Sequence, residues 1–293
     1  ENKRAPGRFE PGRFYFINGK KWRKKRAEEV QVQTPKRWKG ISGSTLKMIA
    51  IVTMLIDHIG AVVLTRILIV QGVNSIDTSS QNAVMQWLTQ NATLYYTYTA
   101  MRMIGRIAFP IFCFLLVEGF LHTHDVKKYA LRLGGFALIS EIPFDLAFSG
   151  KVLEFQYQNV FFTLFIGLLT MMVYHMVEEK TEWQPIVRGL LYAVILVAGM
   201  ALAWLLKTDY AEKGVFCIMV LYMFRKKKVN QMLAGCLSFF WETPALFAFI
   251  PIAFYNGKRG WSMKYFFYIF YPAHLLILYM ICCFMGIGGI AAI

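Results

Sequence analysis

Leu46-Lys47-Met48-Ile49-Ala50-Ile51-Val52-Thr53-Met54-Leu55-Ile56-Asp57-His58-Ile59-Gly60-Ala61-Val62-Val63-Leu64 is an apolar run long enough to cross a lipid bilayer. A crossing helix needs about 20 mostly apolar residues. Asp57 and His58 lie about eleven residues into the stretch 46–71, close to mid-membrane at a rise of about 1.5 Å per residue. An ionisable side chain at that depth costs at least about 2.5–3.5 kcal/mol, so it needs a partner or a purpose. Adjacent residues on a helix point about 100° apart and do not share one hydrogen bond easily. Asp57 is therefore expected to pair with an arginine on another helix, leaving His58 to face a cavity.

Seven further stretches resemble the first: 99–122, 127–149, 158–177, 186–206, 211–224, 230–255 and 264–287. Composition agrees. Hydrophobic residues make up 57% of the 293 and charged residues 17%, against about 25% charged in soluble domains. This excludes a soluble globular enzyme, a disulfide-rich secreted domain and a disordered chain. Much of the net charge of +15 precedes the first span: residues 1–47 hold 14 Lys or Arg and 4 Asp or Glu. That concentration reads as a cytoplasmic topology signal adhering to anionic lipid, rather than as a nucleic-acid surface. The head lacks the apolar core of a secretory signal peptide. The five cysteines lie in apolar stretches without metal-ligand spacing, so neither zinc nor any other metal is expected.

The loop 72–96 has no Lys or Arg and is expected outside, with the N-terminus cytoplasmic. Alternation then works through six spans and strains at 230–255, where Pro244 denies a helical hydrogen bond. A kinked hairpin or two short spans there would return Lys258 and Arg259 to the cytoplasm. The fold expected is all-α: a polytopic transmembrane bundle of about eight to nine spans (46–293), preceded by a short basic cytoplasmic segment (1–45). Its expected location is the cytoplasmic membrane of a bacterium.

Other ionisable residues sit deep in these stretches. Arg102 and Arg106 are one turn apart, with Glu118 further along the same stretch; Arg132, Glu141 and Asp145 share the next. Glu242 falls in the seventh, and His274 in the last, just after Tyr271-Pro272. A buried ion-pair lattice accounts equally well for the acids and arginines. His58 and His274 suit proton transfer, because a neutral imidazole titrates near physiological pH. His122, His124 and His175 lie at span ends and are expected at the interface. The run Gly286-Ile287-Gly288-Gly289 reads as a helix stop.

Several polar strings stand out: Asp57-His58-Ile59-Gly60, Gly105-Arg106-Ile107-Ala108-Phe109-Pro110, Glu118-Gly119-Phe120, Asn159-Val160-Phe161-Phe162-Thr163, Asp209-Tyr210-Ala211-Glu212-Lys213-Gly214 and Tyr271-Pro272-Ala273-His274. From about Leu46 to Leu278 the chain resembles the TraX family, best known for N-terminal acetylation of F-type conjugative pilin. It is also similar to polysaccharide-modifying and heparan-acetylating membrane acyltransferases, which place a histidine in an early transmembrane helix. In the former type a basic residue stands about three turns earlier, and Lys47 here precedes His58 by eleven. The resemblance implies acetyl-CoA or another acyl-CoA as co-substrate and an acceptor peptide, glycan or lipid.

Acyl transfer needs a base, donors for the oxyanion and a place for the CoA phosphates. His58 is the candidate base, with His274 assisting or donating to the oxyanion and Tyr271 as a second donor. Arg102 and Arg106 are candidates to orient Asp57 or substrate; Glu118, Glu141 and Asn159 are candidates for substrate contact or structural pairing. Lys127, Lys128, Arg132, Arg225, Lys226 and Lys227 are candidates for the coenzyme phosphates. Direct transfer is favoured over a covalent route, with an acyl-histidine at His58 left open. The alternatives are a proton-coupled transporter and a non-catalytic envelope or pilus assembly scaffold.

Overall fold

The structure, a computed structural model, describes residues 40–261 and 264–292; the basic head expected over 1–45 lies almost wholly outside the described residues. The described chain is helical, with two isolated bridges, Ile41 to Tyr255 and Gln158 to Thr208. Helix α1 (Gly43–His58) runs through a π-helical turn (Ile59–Leu64) into α2 (Thr65–Val70). There follow α3 (Gln81–Gly105), α4 (Ala108–His122), α5 (Val126–Ser149), α6 (Val160–Glu178), α7 (Pro185–Leu205) and α8 (Ala211–Met223). The chain closes with α9 (Lys228–Ser238), a 3-10 turn (Thr243–Ala248), α10 (Phe249–Ala253) and α11 (Lys264–Phe284).

Local chemistry sets the helix starts. Side-chain oxygens of Ser42, Ser80, Asp125 and Asn159 accept from the first-turn N–H groups of α1, α3, α5 and α6, donors that otherwise lack partners. Pro185 opens α7, where a missing N–H costs nothing. Gly150 ends α5 at φ +70°, the left-handed conformation glycine adopts without a Cβ penalty.

The helices run antiparallel between two ends of the bundle. The basal end holds Gly43, His122, Val126, Glu178 and Lys228. The apical end holds Val70, Gln81, Ser149, Val160 and Ala211. Trp87 Nε1 donates to the Gln71 carbonyl at 2.7 Å, tying α2 to α3 there. One apolar core joins α4, α6, α8 and the α9–α10 region; a second joins α1, α5 and α11 around Phe144, Tyr271 and Leu275. Helix α7 packs on α6 and α8 and buries only Gly199 and Ala203, leaving most of its apolar surface outward.

Among the described residues, four helices are long and apolar enough to cross a membrane: Gly43–Val70, the α3–α4 run Gln81–His122, α6 and α7. The expected eight to nine spans thus do not appear as that many such helices. Helix α5 has the length but carries Glu141 and Asp145, and α8 has only 13 residues. The stretch 230–255 doubles back, as the hairpin alternative anticipated. Lys228 Nζ donates to the carbonyls of Ala253 and Tyr255 at 2.7 and 2.8 Å, and Ile41 N–H donates to the Phe254 carbonyl at 2.9 Å. The hairpin therefore starts and finishes at the basal end, with Phe239–Glu242 at its tip, where Phe239 is buried and Phe240 and Trp241 are exposed.

Candidate active site

Two helix defects face each other at the centre. The π turn begins directly after His58, and the α3–α4 run breaks over Arg106 and Ile107. A π turn adds a residue to the helical repeat and is frequent at functional sites. Here the two irregularities let Asp57, His58, Arg102 and Arg106 converge on one cavity of about 180 Å³. Aromatic rings including Phe109, Phe144, Phe148 and Tyr271 form much of its wall, and Tyr157, Asp209 and Ala292 mark its apical reach.

His58 is 9% exposed and lines this cavity; His274, 5% exposed, stands behind it on α11. Their rings are parallel within 4°, with His58 Nδ1 to His274 Nε2 at 2.6 Å. His274 Nδ1 lies 2.7 Å from the Phe270 carbonyl, which can only accept. That contact assigns the proton of His274 to Nδ1 and makes its Nε2 an acceptor. His58 must then donate from Nδ1, so its Nε2 keeps a lone pair. The network thus leaves Nε2 as the unprotonated nitrogen of His58. Phe148 and Tyr271 meet the His58 ring edge-on at 5.7 and 5.9 Å and hold its plane.

Asp57 pairs with an arginine on another helix as expected: Arg102 Nη1 donates to Oδ2 at 2.6 Å. Arg106 Nε sits 3.0 Å from Glu242 Oε1, so the hairpin tip reaches the cavity wall. Tyr157 donates to Asp209 at 2.6 Å, and Tyr210 stacks on Phe109 at 3.7 Å. The turn carrying Asp209 holds Lys207, Tyr210 and Ala211 at φ +50°, +63° and +39°. Non-glycine residues in that region store strain that surrounding contacts must sustain. Here Asp209 N–H donates to the Gln158 carbonyl at 2.8 Å, and Gln158 N–H to the Lys207 carbonyl at 3.0 Å.

The other expected site residues fall elsewhere. Asn159 caps α6 and donates from its amide to Ala137 and Glu141, so that pair locks α5 to α6 behind the cavity wall. Glu118 lies at the basal end, 3.9 Å from His122. Lys127, Lys128, Arg132 and the 225–227 run are also basal. Lys128 faces Asp125 at 3.6 Å, Arg132 bonds Tyr268, and Lys227 caps α9. Arg225 is 1% exposed and bound to Glu178 at 2.6 Å. Along α6, Val160 at the cavity and Glu178 are about 27 Å apart at 1.5 Å per residue. Buried Leu168, Met171 and Ile218 fill the space between. The structure thus does not bring the proposed phosphate contacts to His58. His175, expected at the interface, is instead buried and bonded to Tyr222 at 2.9 Å. Among the described residues no cluster of three His, Cys, Asp or Glu could hold a metal ion.

Sequence reasoning missed Asp209, Tyr210 and Tyr157 as parts of this wall. Their only signal was a polar string at a span boundary. It also missed Arg66, wholly buried on α2, which donates to the carbonyls of Val62, Ala147 and Ile290 at 2.7–2.8 Å. The glycine run after α11 does more than stop a helix: Ala292 N–H donates to the Phe148 carbonyl, and Ala292 lines the cavity.

The chain is 28% identical over 267 residues to a probable fimbrial assembly protein FimC, serogroup H1, of Dichelobacter nodosus, covering 81% of this chain and 94% of that one. No solved structure matches it. The TraX protein family matches residues 42–282, which take in both histidines, both arginines, the hairpin and the strained turn. On that span, the chain belongs to the TraX family.

Proposed function

We propose that the protein is an integral-membrane acyltransferase. It moves an acetyl or other acyl group from acyl-CoA to an amine or hydroxyl acceptor, in the service of pilus or fimbrial assembly. The observation that carries this reading is the tautomer of the His58–His274 pair, which leaves Nε2 as the unprotonated nitrogen of a histidine that lines the cavity inside the bundle. In the reaction, the acceptor nitrogen or oxygen attacks the thioester carbonyl while His58 Nε2 takes its proton. The new bond to the acyl carbon forms, the carbon–sulfur bond breaks, and the imidazolium returns the proton to the departing CoA thiolate. His274 spreads the positive charge through the shared Nδ1–Nε2 hydrogen bond. Arg102 and Arg106 line the same cavity and supply donors for the oxyanion. Asp57 acts through Arg102.

The topology in this reading places the basal end in the cytoplasm of a bacterium. Lys127, Lys128, Lys226, Lys227, Lys258 and Arg259 gather there, while the apical segment 72–80 has no Lys or Arg. The helices then make seven crossings and the 228–255 hairpin re-enters from the cytoplasmic side. Dry packing separates the basal lysines from His58, so the charged side chains that meet the thioester are those lining the cavity itself, Asp57, Arg102, Arg106 and Asp209.

The test is purified protein with acetyl-CoA and an amine acceptor, read as free thiol released. Turnover is expected in the wild type and a loss of 10²-fold or more in His58→Ala, in line with the roughly 10²–10⁴-fold contribution of a positioned base. Equal turnover in the two proteins would overturn the assignment of His58. The half-buried ion pairs Arg102–Asp57 and Arg106–Glu242 would equally suit an assembly scaffold. That second reading predicts that His58→Ala still supports assembly.

A further inference from the structure

A second cavity of about 410 Å³ lies at the basal end, where α6 turns into α7. It is distinct from the His58 site and separated from it by the packed core. Glu178, Thr181, Arg188, Gly189, Tyr192 and Lys226 line it. Its charge is unbalanced. The Glu178 carboxylate is already engaged by Arg225 at 2.6 Å, with Lys226 3.9 Å from its other oxygen. Arg188 adds a third cation, and its Nε is buried without a hydrogen-bond partner. Two cations, Arg188 and Lys226, thus line a hollow whose one carboxylate is already held by Arg225, and the Arg188 Nε–H there is an unused donor. A buried donor without an acceptor costs free energy, and a bound anion relieves it.

The outer edge of the hollow indicates what kind of anion fits. Gly189 has open space where a side chain would be, and above it Ala193 and Val197 continue the same exposed, small-to-medium strip of α7 toward the bilayer centre. Leu190 and Val194, 64% and 62% exposed, border that strip. Trp183, 40% exposed, sits in the turn beside it, as aromatic side chains do at the headgroup level. A phosphate in the hollow would leave its hydrocarbon tail lying along α7.

We propose that this hollow is a binding site for the phosphate headgroup of an anionic phospholipid of the cytoplasmic leaflet, with Arg188 and Lys226 as its cations and α7 as the bed for an acyl chain. The proposal rests on the membrane topology given above and not on acyl transfer. A role for such a lipid follows from position: α7 buries only Gly199 and Ala203, both in its apical half, and a headgroup bridging Arg188 and Lys226 joins its basal end to the α8–α9 turn.

The experiment is thermal unfolding of the full chain in a zwitterionic detergent, titrated with phosphatidylglycerol, phosphatidylcholine, glycerol phosphate or CoA. Phosphatidylglycerol is expected to raise the unfolding temperature of the wild type. In Arg188→Gln/Lys226→Gln its apparent affinity should fall by roughly thirty-fold, given the contribution of each cation to anionic-lipid attraction. Lys127→Gln/Lys128→Gln removes the same charge at the same end and should change it less than about three-fold. Lys226→Gln alone, at an exposed position, gives the intermediate loss should the double variant fold poorly. Equal weakening in both double variants overturns the proposal, as does equal stabilisation by phosphatidylcholine. Protection by glycerol phosphate or CoA matching that of the lipid would assign the hollow to a soluble phosphate instead. Thiol release from acetyl-CoA, read in parallel, separates failure of this site from failure of the acyltransferase reading.

Discussion

A Cβ atom at Gly105, the last residue of α3, would fall inside the Asp57 side chain. The carboxylate lies flat against the bare glycine backbone, and only from there does Oδ2 reach Arg102 Nη1 at 2.6 Å. The α3–α4 break immediately beyond Gly105 then turns Arg106 toward Glu242. A missing side chain on one helix thus sets the position of a charge on another.

Gly105→Ala is therefore expected to push Asp57 off Arg102 and destabilise the protein by about 1–3 kcal/mol, the range for overpacking a filled interior. Thermal unfolding reads the loss. Asp57→Gly removes the Cβ as well as the carboxylate that a Gly105 side chain would meet, so the double variant should lose less than the two single losses together. Strict additivity would show that the two residues are not in contact.

His274→Gln should keep more activity than His274→Ala. The glutamine carbonyl oxygen can accept from His58 Nδ1–H as the imidazole Nε2 does, preserving the tautomer that leaves His58 Nε2 basic. Alanine leaves that N–H unmet and both tautomers open. The comparison is kcat for acetyl-CoA turnover in the two variants; equal kcat values would remove His274 from control of the His58 proton.

Arg66 bridges three backbone carbonyls on α1–α2, α5 and the segment after α11. Arg66→Leu removes the side-chain donor from all three; Val62 still accepts from Cys282 Sγ, so the loss is expected at Ala147 and Ile290, at about 1–3 kcal/mol each. Hydrogen exchange at Ile290 and Ala292 should rise most, since those residues are held by the Arg66 and Phe148 contacts. Uniform exchange across the chain would deny Arg66 a specific role in anchoring that segment.

The hairpin gives a topological test. In a background without native cysteines, single cysteines at Ser42, Lys226 and Lys258 should react with a membrane-impermeant thiol reagent from one face, and those at Asp77 and Lys151 from the other. Reaction of the Lys226 and Lys258 cysteines from opposite faces would mean that 228–255 crosses the bilayer, contrary to the bond from Lys228 back to Tyr255.

Sequence alone determined the solvent, the helical class and the residues worth watching. Apolar runs of spanning length dictate helices, because in hydrocarbon every backbone polar group must be met within its own segment. The cost of placing Asp57, His58, Arg102, Arg106 and His274 inside those runs marked them before any fold was known. The 100° rule even separated Asp57 from His58 correctly, and Arg102 takes the role of its distant partner. Partner identity and direction were decided by the tertiary structure. His58 and His274 are 216 residues apart, and only packing of α1 beside α11 brings their nitrogens to 2.6 Å. Charge composition could not show which basic residues share an end with the cavity. Sequence lists the cations, but helix direction distributes them, and it sets Lys127, Lys128 and Arg225–Lys227 a packed core away from His58. Sequence named Glu242 and the Asp209 string but could not place Asp209 at the cavity or Glu242 on Arg106, because a strained turn and a doubled-back hairpin carry them there. Both are products of non-local contacts, which no local periodicity encodes.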